Sequence, residues 1–167
     1  MFFVREAEPD DTIAELTYIE DINGQSGFLS FRRGEFGLTE LQEQAFLRKF
    51  LASDNQLYNL GIIDDTIVST LNFSAESRLR VQHSDEFGMS VQRQFWGRGI
   101  GSLMLNVLIC WAKQKQIVTR INLRVRTDTQ RAIEIYERQG FVKEGTTRKE
   151  FLLNGKYFDN YWMGLEL

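Results

Sequence analysis

The segment spanning residues 89–101, with the sequence MSVQRQFWGRGIG, constrains the fold more than any other part of the chain. It continues a strand-like stretch, contains three glycines at alternate positions, and leads into an amphipathic helix predicted over residues 102–116. Because glycine has no Cβ, the backbone can turn sharply there and bring its N–H groups against a ligand. The first turn of a helix adds up to four unpaired N–H groups and about half a positive charge. This arrangement predicts an anion site, and a pyrophosphate is the natural occupant.

Two familiar glycine motifs fit this segment poorly. A P-loop requires Gly-Lys-Ser/Thr after a four-residue gap, and the chain has no such run. A dinucleotide fingerprint requires Gly-x-Gly-x-x-Gly and an acidic residue about 20 positions later. Here the third glycine comes one residue early, and the next strand, predicted over residues 120–125, ends among Arg124 and Arg126. Both motifs are disfavoured, and a flexible strand-to-helix turn stays open as the simpler interpretation.

The glycine segment resembles motif A of the GNAT family of N-acetyltransferases, Gln/Arg-x-x-Gly-x-Gly/Ala, with WGRGIG at residues 96–101. Trp96 stands where the family more often has Gln or Arg. A second block, YERQGF at residues 136–141, matches the family's Tyr-x-x-x-Gly-Phe signature. Residues 144–163 are similar to the end of its small-molecule and amino-acid acetyltransferases. Together the matches cover about residues 85–167, and the chain is identified as a member of this family by resemblance.

The resemblance implies a mixed α/β fold in which helices flank a mostly antiparallel central sheet. A chain of 167 residues that is 43% hydrophobic fits a single domain over residues 1–167. The residue pattern predicts strands at 2–6, 83–91 and 120–125, hairpins at 56–64 with 66–74 and at 148–153 with 156–167, and helices at 10–22 and 129–138. A further helix is predicted to begin at the capping box formed by Thr39 and Gln42.

The resemblance also implies acetyl-CoA as cosubstrate and no metal. Backbone amides of residues 98–101 would hold the pyrophosphate, and the pantetheine arm would pair with backbone groups of the strand as an added strand does. Thr129 stands where many relatives have Asn, and it is equally the predicted helix N-cap. The predicted coenzyme A contacts are Met89, Val91, Trp96, Gly97, Arg98, Gly99, Ile100, Gly101, Ser102 and Thr129.

Acetyl transfer to an amine requires the loss of a proton, since an amine with a pKa of about 10.4 is almost entirely protonated at neutral pH. The candidate bases are His83, Asp85 and Glu86, acting directly or through water. The resemblance favours Glu86. A backbone N–H near residues 89–91 would stabilise the oxyanion. The resemblance assigns Tyr136 as the general acid for the departing thiolate, although a place on the apolar face of its helix also fits core packing.

The resemblance therefore implies an N-acetyltransferase that transfers the acetyl group to a primary amine of a small molecule or amino acid by direct attack in a ternary complex. A protein N-terminus or lysine is the alternative acceptor, and a non-catalytic acyl-coenzyme A sensor or a purely structural protein is the alternative class. The segment 24–37, with Phe28, Phe31, Arg32 and Arg33, is interpreted as part of the acceptor pocket. Either arginine there could pair with a substrate carboxylate, and a solvated loop is the alternative.

The distribution of charge along the chain indicates which ligands and partners the protein would bind. Residues 1–90 carry 16 Asp and Glu against 7 Lys and Arg, whereas residues 91–167 carry 7 against 13. The acidic half suits a cationic amine and the basic half a phosphorylated cofactor, although solvated surface charge would give the same pattern. A sequence pI near 5.3 disfavours nucleic acid as the main partner.

Location and assembly are also predicted. The chain has no apolar run long enough for a membrane span and no signal-peptide pattern, so it is predicted to be cytoplasmic. The single cysteine, Cys110, lies in an apolar run and is predicted to be a buried thiol, with a nucleophilic role disfavoured. Leu103 and Val107 of the same predicted helix are predicted to face the core. Family resemblance makes a homodimer plausible.

Overall fold

A computed structural model of the chain describes residues 1–25 and 37–167. Within them, seven strands form one sheet. The strands are β1 (Phe2–Glu6), β2 (Gln56–Ile63), β3 (Thr66–Ser74), β4 (Ser84–Val91), β5 (Arg120–Arg126), β6 (Val142–Leu153) and β7 (Lys156–Glu166). Their order is β1-β2-β3-β4-β5-β7-β6. The pair β4 and β5 is parallel and the other five pairs are antiparallel. The predicted mixed α/β architecture with a mostly antiparallel sheet is confirmed.

Four α-helices of the described ranges flank this sheet. They are α1 (Thr12–Gln25), α2 (Glu40–Leu51), α3 (Ile100–Lys115) and α4 (Gln130–Arg138). Helix α1 follows a 3₁₀ turn, Pro9–Asp11, with the proline at the first position where its missing N–H costs nothing. In the part of the chain that is described, no helix combines the length and the apolar character needed to cross a bilayer.

The predicted capping box at the start of α2 is confirmed. The Thr39 Oγ1 accepts the Gln42 N–H at 3.3 Å, and the Gln42 Oε1 accepts the Thr39 N–H at 3.0 Å. Helix α1, by contrast, was predicted to end at residue 22 and continues to Gln25. Ile22 and Asn23 are buried, so packing outweighs the low helix propensity of Gly24.

The turns explain why the hairpins could be read from the sequence. Asn154 and Gly155 have φ values of 49° and 76°, and Asp64 and Asp65 have φ values of 47° and 61°. Two consecutive positive φ angles define the type I′ turn that suits a tight hairpin. Strand β6 is longer than predicted, because it begins at Val142 rather than at residue 148. Its pairing with β7 shifts register twice, and such bulges break the alternation on which the prediction depended.

The two faces of the sheet carry separate apolar clusters. One face packs against α3, where Met104, Leu105 and Leu108 are fully buried. The other face packs against α1 and α2 through a cluster that includes Tyr18 and Leu47. The sheet therefore separates an α3 face from an α1/α2 face, and these names are used below.

The outer side of α3 corrects three predictions. Leu103 and Val107 were predicted to face the core and are 49% and 36% exposed. Cys110 was predicted to be a buried thiol and is exposed. Residues 103, 107 and 110 recur at helical spacing, so they share one side of the helix. An apolar run identifies a helix that packs, but it does not identify which side of the helix packs.

A pair of buried carboxyl groups links α1 to α2. Glu15 and Glu43 are both 0% exposed, and the Tyr58 hydroxyl donates a hydrogen bond to the Glu15 Oε1. The Glu15 Oε2 and both Glu43 oxygens have no other partner among the described residues. Two ionised carboxylates cannot bond to each other, whereas a protonated Glu15 can donate to Glu43. Burial, together with Glu43, raises the pKa of Glu15 to about 8.

This shared proton makes stability depend on pH. The folded protein holds the Glu15 proton up to about pH 8, whereas an unfolded chain releases it near 4.5. Because the folded state binds more protons between these values, the free energy of unfolding should fall as the pH rises through that window. Below about pH 4.5 both states are protonated and this loss is absent.

Glu15→Gln retains the shape of the side chain and removes the titration, so its free energy of unfolding should fall less than that of the wild type between about pH 5 and pH 8. Urea denaturation across the pH range measures the difference. Asp21→Asn, on the exposed side of α1, is the control and should follow the wild type. An unchanged pH slope in Glu15→Gln would show that Glu15 is ionised in the folded protein.

Candidate active site

The two parallel strands of the sheet separate after a short pairing. Strands β4 and β5 are paired at Ser84 with Arg120, Asp85 with Ile121, and Glu86 with Asn122. Beyond Glu86, β4 stays paired with β3 and β5 stays paired with β7, but the two strands no longer pair with each other. We call the space between residues 87–91 and 123–126 the wedge. Each side of the wedge presents backbone that lacks a neighbouring strand.

The backbone groups that face the wedge follow from the bonds on the other side of β4. The Gly88 N–H donates to the Asn72 Oδ1 at 3.1 Å, and the Gln92 N–H donates to the Val68 oxygen at 2.9 Å, so both point toward β3. Because successive residues of a strand alternate, the N–H and C=O groups of Met89 and Val91 point into the wedge. Both residues predicted to pair with the pantetheine arm therefore lie at an edge that an extended ligand can join.

The glycine segment forms a cradle of backbone amides at residues 97–102. Gly97 and Gly99 adopt left-handed φ angles of 83° and 80°, which other residues adopt at a cost. Helix α3 begins at Ile100, and its first hydrogen bond runs from the Leu103 N–H to the Gly99 oxygen at 3.1 Å. The amides of residues 100–102 precede that bond, and they are available to an anion at the positive end of the helix. The cradle fits a pyrophosphate.

Trp96 connects the cradle to the wedge. Its indole N–H donates to the Val91 oxygen at 2.8 Å, on the wedge side of β4. The ring is 41% exposed, and the Arg93 guanidinium lies 6.0 Å from its centre. Trp96, which departs from the family pattern, is therefore bonded to the last residue of β4. The Trp96 indole occupies one lone pair of the Val91 carbonyl oxygen. It makes no bond to the N–H groups of Met89 and Val91.

Two arginines bring positive charge to the cradle, and one of them was missed in the sequence. A Cβ at Gly97 would lie 2.5 Å from the Arg131 Nη2, so this guanidinium from α4 rests directly on the glycine. Arg98 stacks over the Phe95 ring at 5.2 Å. Arg131 belongs to no motif, and only the packing of α4 against the cradle brings it there. Guanidinium groups favour phosphate oxygens.

Thr129 occupies the N-cap position of α4, but its side chain makes no capping hydrogen bond. The Thr129 Oγ1 is buried and has no hydrogen-bond partner within the described ranges. A buried hydroxyl without a partner costs about 1–3 kcal/mol. Thr129 therefore stands at the predicted N-cap position without a side-chain capping bond, and its unpaired hydroxyl stays a candidate for a contact with a bound ligand.

Tyr136 lies beside the apex of the wedge. Its ring packs edge-on against Phe87, the first wedge residue of β4, with the ring centres 5.8 Å apart, and against Phe141 at 6.0 Å. Its hydroxyl has no hydrogen-bond partner in the described part of the chain. Burial raises the pKa of Tyr136 to about 12. The phenol is therefore protonated at neutral pH and can act as a donor. The Tyr136 ring can pack in the core while its hydroxyl serves as a proton donor, so the two interpretations of this residue are compatible.

The three candidate bases lie in different surroundings. Glu86 is at the last paired position before the wedge, and its Oε2 accepts the Arg124 Nε–H at 2.8 Å. The Asp85 Oδ1 accepts the Glu86 N–H at 2.7 Å, and strand alternation directs Asp85 to the opposite face. His83 precedes β4, and at about 3.3 Å per residue it lies about 20 Å from Met89. Glu86 is the candidate that adjoins the wedge.

Glu150 is a second carboxylate at this place, and it was missed in the sequence. Arg124 donates to Glu150 at 2.5 Å as well as to Glu86. The Glu150 Oε2 is buried without a hydrogen-bond partner among the described side chains. Two carboxylates thus share one guanidinium, and the excess negative charge favours a cation nearby. Glu150 reaches Arg124 from a bulged part of β6, whose position relative to β5 no local pattern indicates.

Arg32 and Arg33, predicted in the acceptor pocket, lie outside the described residues. Within residues 1–25 and 37–167, no group of three or more His, Cys, Asp or Glu side chains could hold a metal ion.

Comparison with known proteins assigns the family. Residues 23–141 match the Acetyltransferase (GNAT) family. The chain belongs to this family. A crystal structure of an acetyltransferase of the GNAT family from Streptococcus pneumoniae is similar over its whole length, with a TM-score of 0.97, 32% identity and 100% of both chains covered. The family and the fold inferred from the glycine cradle and the Tyr-x-x-x-Gly-Phe block are confirmed, and so is the prediction of an acetyltransferase.

Two relatives of known name differ in the acceptor that their names give. The L-amino acid N-acetyltransferase AaaT of Escherichia coli (strain K12) is 36% identical over 104 residues, which are 62% of this chain and 64% of that protein. The match thus spans less than two thirds of that relative. The spermidine N(1)-acetyltransferase of Vibrio cholerae is 24% identical over 154 residues, which are 87% of this chain and 83% of that protein.

The cradle of this GNAT member can be tested with two matched glycines. A Cβ at Gly99 or at Gly155 would meet no atom within 4 Å, and both residues have left-handed φ angles. Each alanine variant should lose a similar amount of stability, roughly 1 kcal/mol, from backbone strain. Gly99→Ala should also weaken coenzyme A binding about tenfold or more, because a distorted cradle loses hydrogen bonds to the pyrophosphate. Isothermal titration calorimetry measures the affinity, and equal affinities of the two variants would exclude the cradle as the binding site.

Proposed function

We propose that this protein transfers the acetyl group of acetyl-CoA to a primary amine of a small molecule or amino acid, by direct attack in a ternary complex. The observation that carries the proposal is the wedge beside the cradle. The cradle offers backbone amides and two guanidinium groups to a pyrophosphate, and the wedge offers the unpaired backbone of Met89 and Val91 to an extended arm. Acetyl-CoA has these two parts in this order, and it supplies the reactive thioester.

Direct attack is supported by the position of the one cysteine. A route through an acetylated enzyme needs a nucleophilic side chain at the thioester. Cys110 lies on the outer side of α3, in a groove lined with Phe2 and Phe3. Helix α3 and its buried side chains stand between this thiol and the wedge. The amine itself is therefore the nucleophile in the proposed reaction.

Each step of the reaction has a residue at the wedge. Glu86 takes the proton of the ammonium group, directly or through water, at the apex of the wedge. An N–H of Met89 or Val91 donates to the oxyanion that develops on the thioester carbonyl. Tyr136, held protonated by burial, donates to the sulfur of the departing coenzyme A.

The charge near Glu86 supports a cationic acceptor. Glu86 and Glu150 outnumber the single guanidinium of Arg124 that joins them. An acceptor ammonium would balance the remaining charge, and an amino acid or a polyamine carries such a group. A protein N-terminus or lysine as acceptor, and a non-catalytic acyl-CoA sensor, are the outcomes that the experiment below distinguishes. The homodimer and the cytoplasmic location stay predictions.

The first test is coenzyme A release, measured with a thiol-reactive dye, from acetyl-CoA with panels of amino acids, polyamines, aminoglycosides and peptide N-termini. We expect turnover with one class of small amine. Tyr136→Phe should lower kcat about 100-fold, because the proton donor is lost. Tyr157→Phe removes the same hydroxyl from an exposed position on β7 and should leave kcat unchanged.

The other results have defined meanings. Turnover with peptides alone would favour the protein acetyltransferase. Binding of acetyl-CoA without acetylation of any amine would favour the sensor. Equal kcat values for Tyr136→Phe and the wild type would remove Tyr136 from the mechanism and leave it as a packing residue.

The base is tested with two matched carboxylates. Glu86→Gln and Glu150→Gln each remove one negative charge from Arg124, and each retains the size of the side chain. Glu86→Gln should lower kcat about 100-fold, because the proton acceptor is lost. Glu150→Gln retains that acceptor and should lower kcat less than about tenfold. If both variants behave alike, the carboxylates act only through charge.

A further inference from the structure

Three hydroxyl groups from three elements meet on the α1/α2 face of the sheet. The Tyr18 hydroxyl of α1 lies 2.9 Å from the Ser90 Oγ of β4, and the Thr70 Oγ1 of β3 lies 3.0 Å from the same Oγ. We call these three residues the hydroxyl cluster. It has no role in the reaction described above, and its central member belongs to the strand that borders the wedge.

Ser90 lies between the two residues whose backbone faces the wedge. The side chains of Met89 and Val91 pack against the α3 core cluster, so that of Ser90 is directed to the α1/α2 face. The α3 face is filled, since Met104, Leu105 and Leu108 are fully buried. An acceptor must therefore approach the thioester from the α1/α2 face, where the partly exposed Ser90 borders its path.

The hydrogen bonds of the cluster fix how Ser90 is oriented. Tyr18 is 3% exposed, and burial holds the pKa of its hydroxyl well above the usual value, so the hydroxyl keeps its proton. Either hydroxyl can donate in the bond between Tyr18 and Ser90, and we take Tyr18 as the donor. The Ser90 hydroxyl can then donate its own proton to Thr70. A hydroxyl oxygen has two lone pairs, and one of those on Ser90 remains free. The Ser90 carbonyl is also held, because it accepts the Ser69 hydroxyl at 2.8 Å.

We propose that Ser90 binds the acceptor amine, its Oγ accepting one N–H of the nucleophile, and that Tyr18 is the positioning residue that directs this oxygen. The inference rests on the proposed acetyl transfer and adds the group that orients the acceptor. Once Glu86 has taken the ammonium proton and passed it to solvent, the neutral primary amine has two N–H groups and one lone pair. One N–H is held by Ser90, the second is left for the base, and the lone pair is free to attack the thioester carbon. Ser90 transfers no proton.

The number of N–H groups on the amine predicts a substrate preference. A secondary amine has one N–H and cannot serve both Ser90 and the base, so Ser90 selects primary amines. The preference for a primary amine over its N-methyl analogue, as the ratio of the two kcat/KM values, is therefore a direct readout of the bond. A serine that only supported the fold would not change this ratio.

The test uses steady-state kinetics with the amine that the wild type acetylates. Ser90→Ala should lower kcat/KM for the primary amine about 10- to 100-fold, as expected for one lost hydrogen bond, and should lower the primary-to-N-methyl ratio about fivefold or more. The KM for acetyl-CoA should change less than about twofold. Ser90→Thr retains the hydroxyl and should restore most of the activity. Tyr18→Phe should shift the same two quantities in the same direction by a smaller factor.

Two controls match these variants. Ser84→Ala removes a hydroxyl from the same face of β4 at the paired end, and Tyr58→Phe removes the other buried phenol of the α1/α2 face. Neither should change the amine preference. Thermal unfolding of every variant confirms that it is folded at the assay temperature.

The results that overturn the inference differ from those that overturn the proposed function. If the wild type acetylates an amine and Ser90→Ala has an unchanged primary-to-N-methyl ratio, Ser90 does not bind the acceptor and the acetyltransferase proposal stands. A rise in the KM for acetyl-CoA in Ser90→Ala as large as the loss of kcat/KM for the amine would likewise assign Ser90 to structure alone. If the wild type acetylates nothing, the proposed function fails, and the inference fails with it.

Discussion

The site depends on one constraint, the loss of pairing between β4 and β5 after Glu86. A parallel pair that continued to Val91 would satisfy its own backbone and leave no edge for a ligand. The separation is supported on both faces of the sheet. On the α3 face, the rings of Phe87, Tyr136 and Phe141 pack against one another near the apex. On the α1/α2 face, Arg124 joins carboxylates from β4 and β6 across the same point.

In the proposed reaction, the two substrates approach the wedge from different sides. The cradle and the start of α3 lie at the end of β4, with amides and guanidinium groups suited to phosphate. The carboxylates and the hydroxyl cluster lie on the α1/α2 face, suited to an amine. The sequence showed an acidic half and a basic half, but the folded chain does not separate charge so simply. Several arginines of the basic half are neutralised locally by carboxylates, as Arg120 is by Glu144.

Some features were predictable because they are local. The capping box of Thr39 depends on two residues three positions apart, and the turn at Asn154 and Gly155 depends on two neighbours. The cradle is equally local, since its glycines and helix start are consecutive in the chain. Errors arose where a local pattern has several tertiary outcomes. The apolar run around Cys110 predicted burial, whereas the structure exposes that residue on the outer side of α3.

The sequence by itself determined the family, the order of the strands and helices after residue 37, and the glycine cradle of backbone amides, because each depends on residues close together in the chain. Tertiary structure alone decided which side chains surround the site. Arg131 reaches Gly97 from another helix, Glu150 meets Arg124 across a bulge, and Tyr18 contacts Ser90 over 72 positions of sequence. Such contacts depend on how elements pack, and packing is set by the whole core rather than by any one segment.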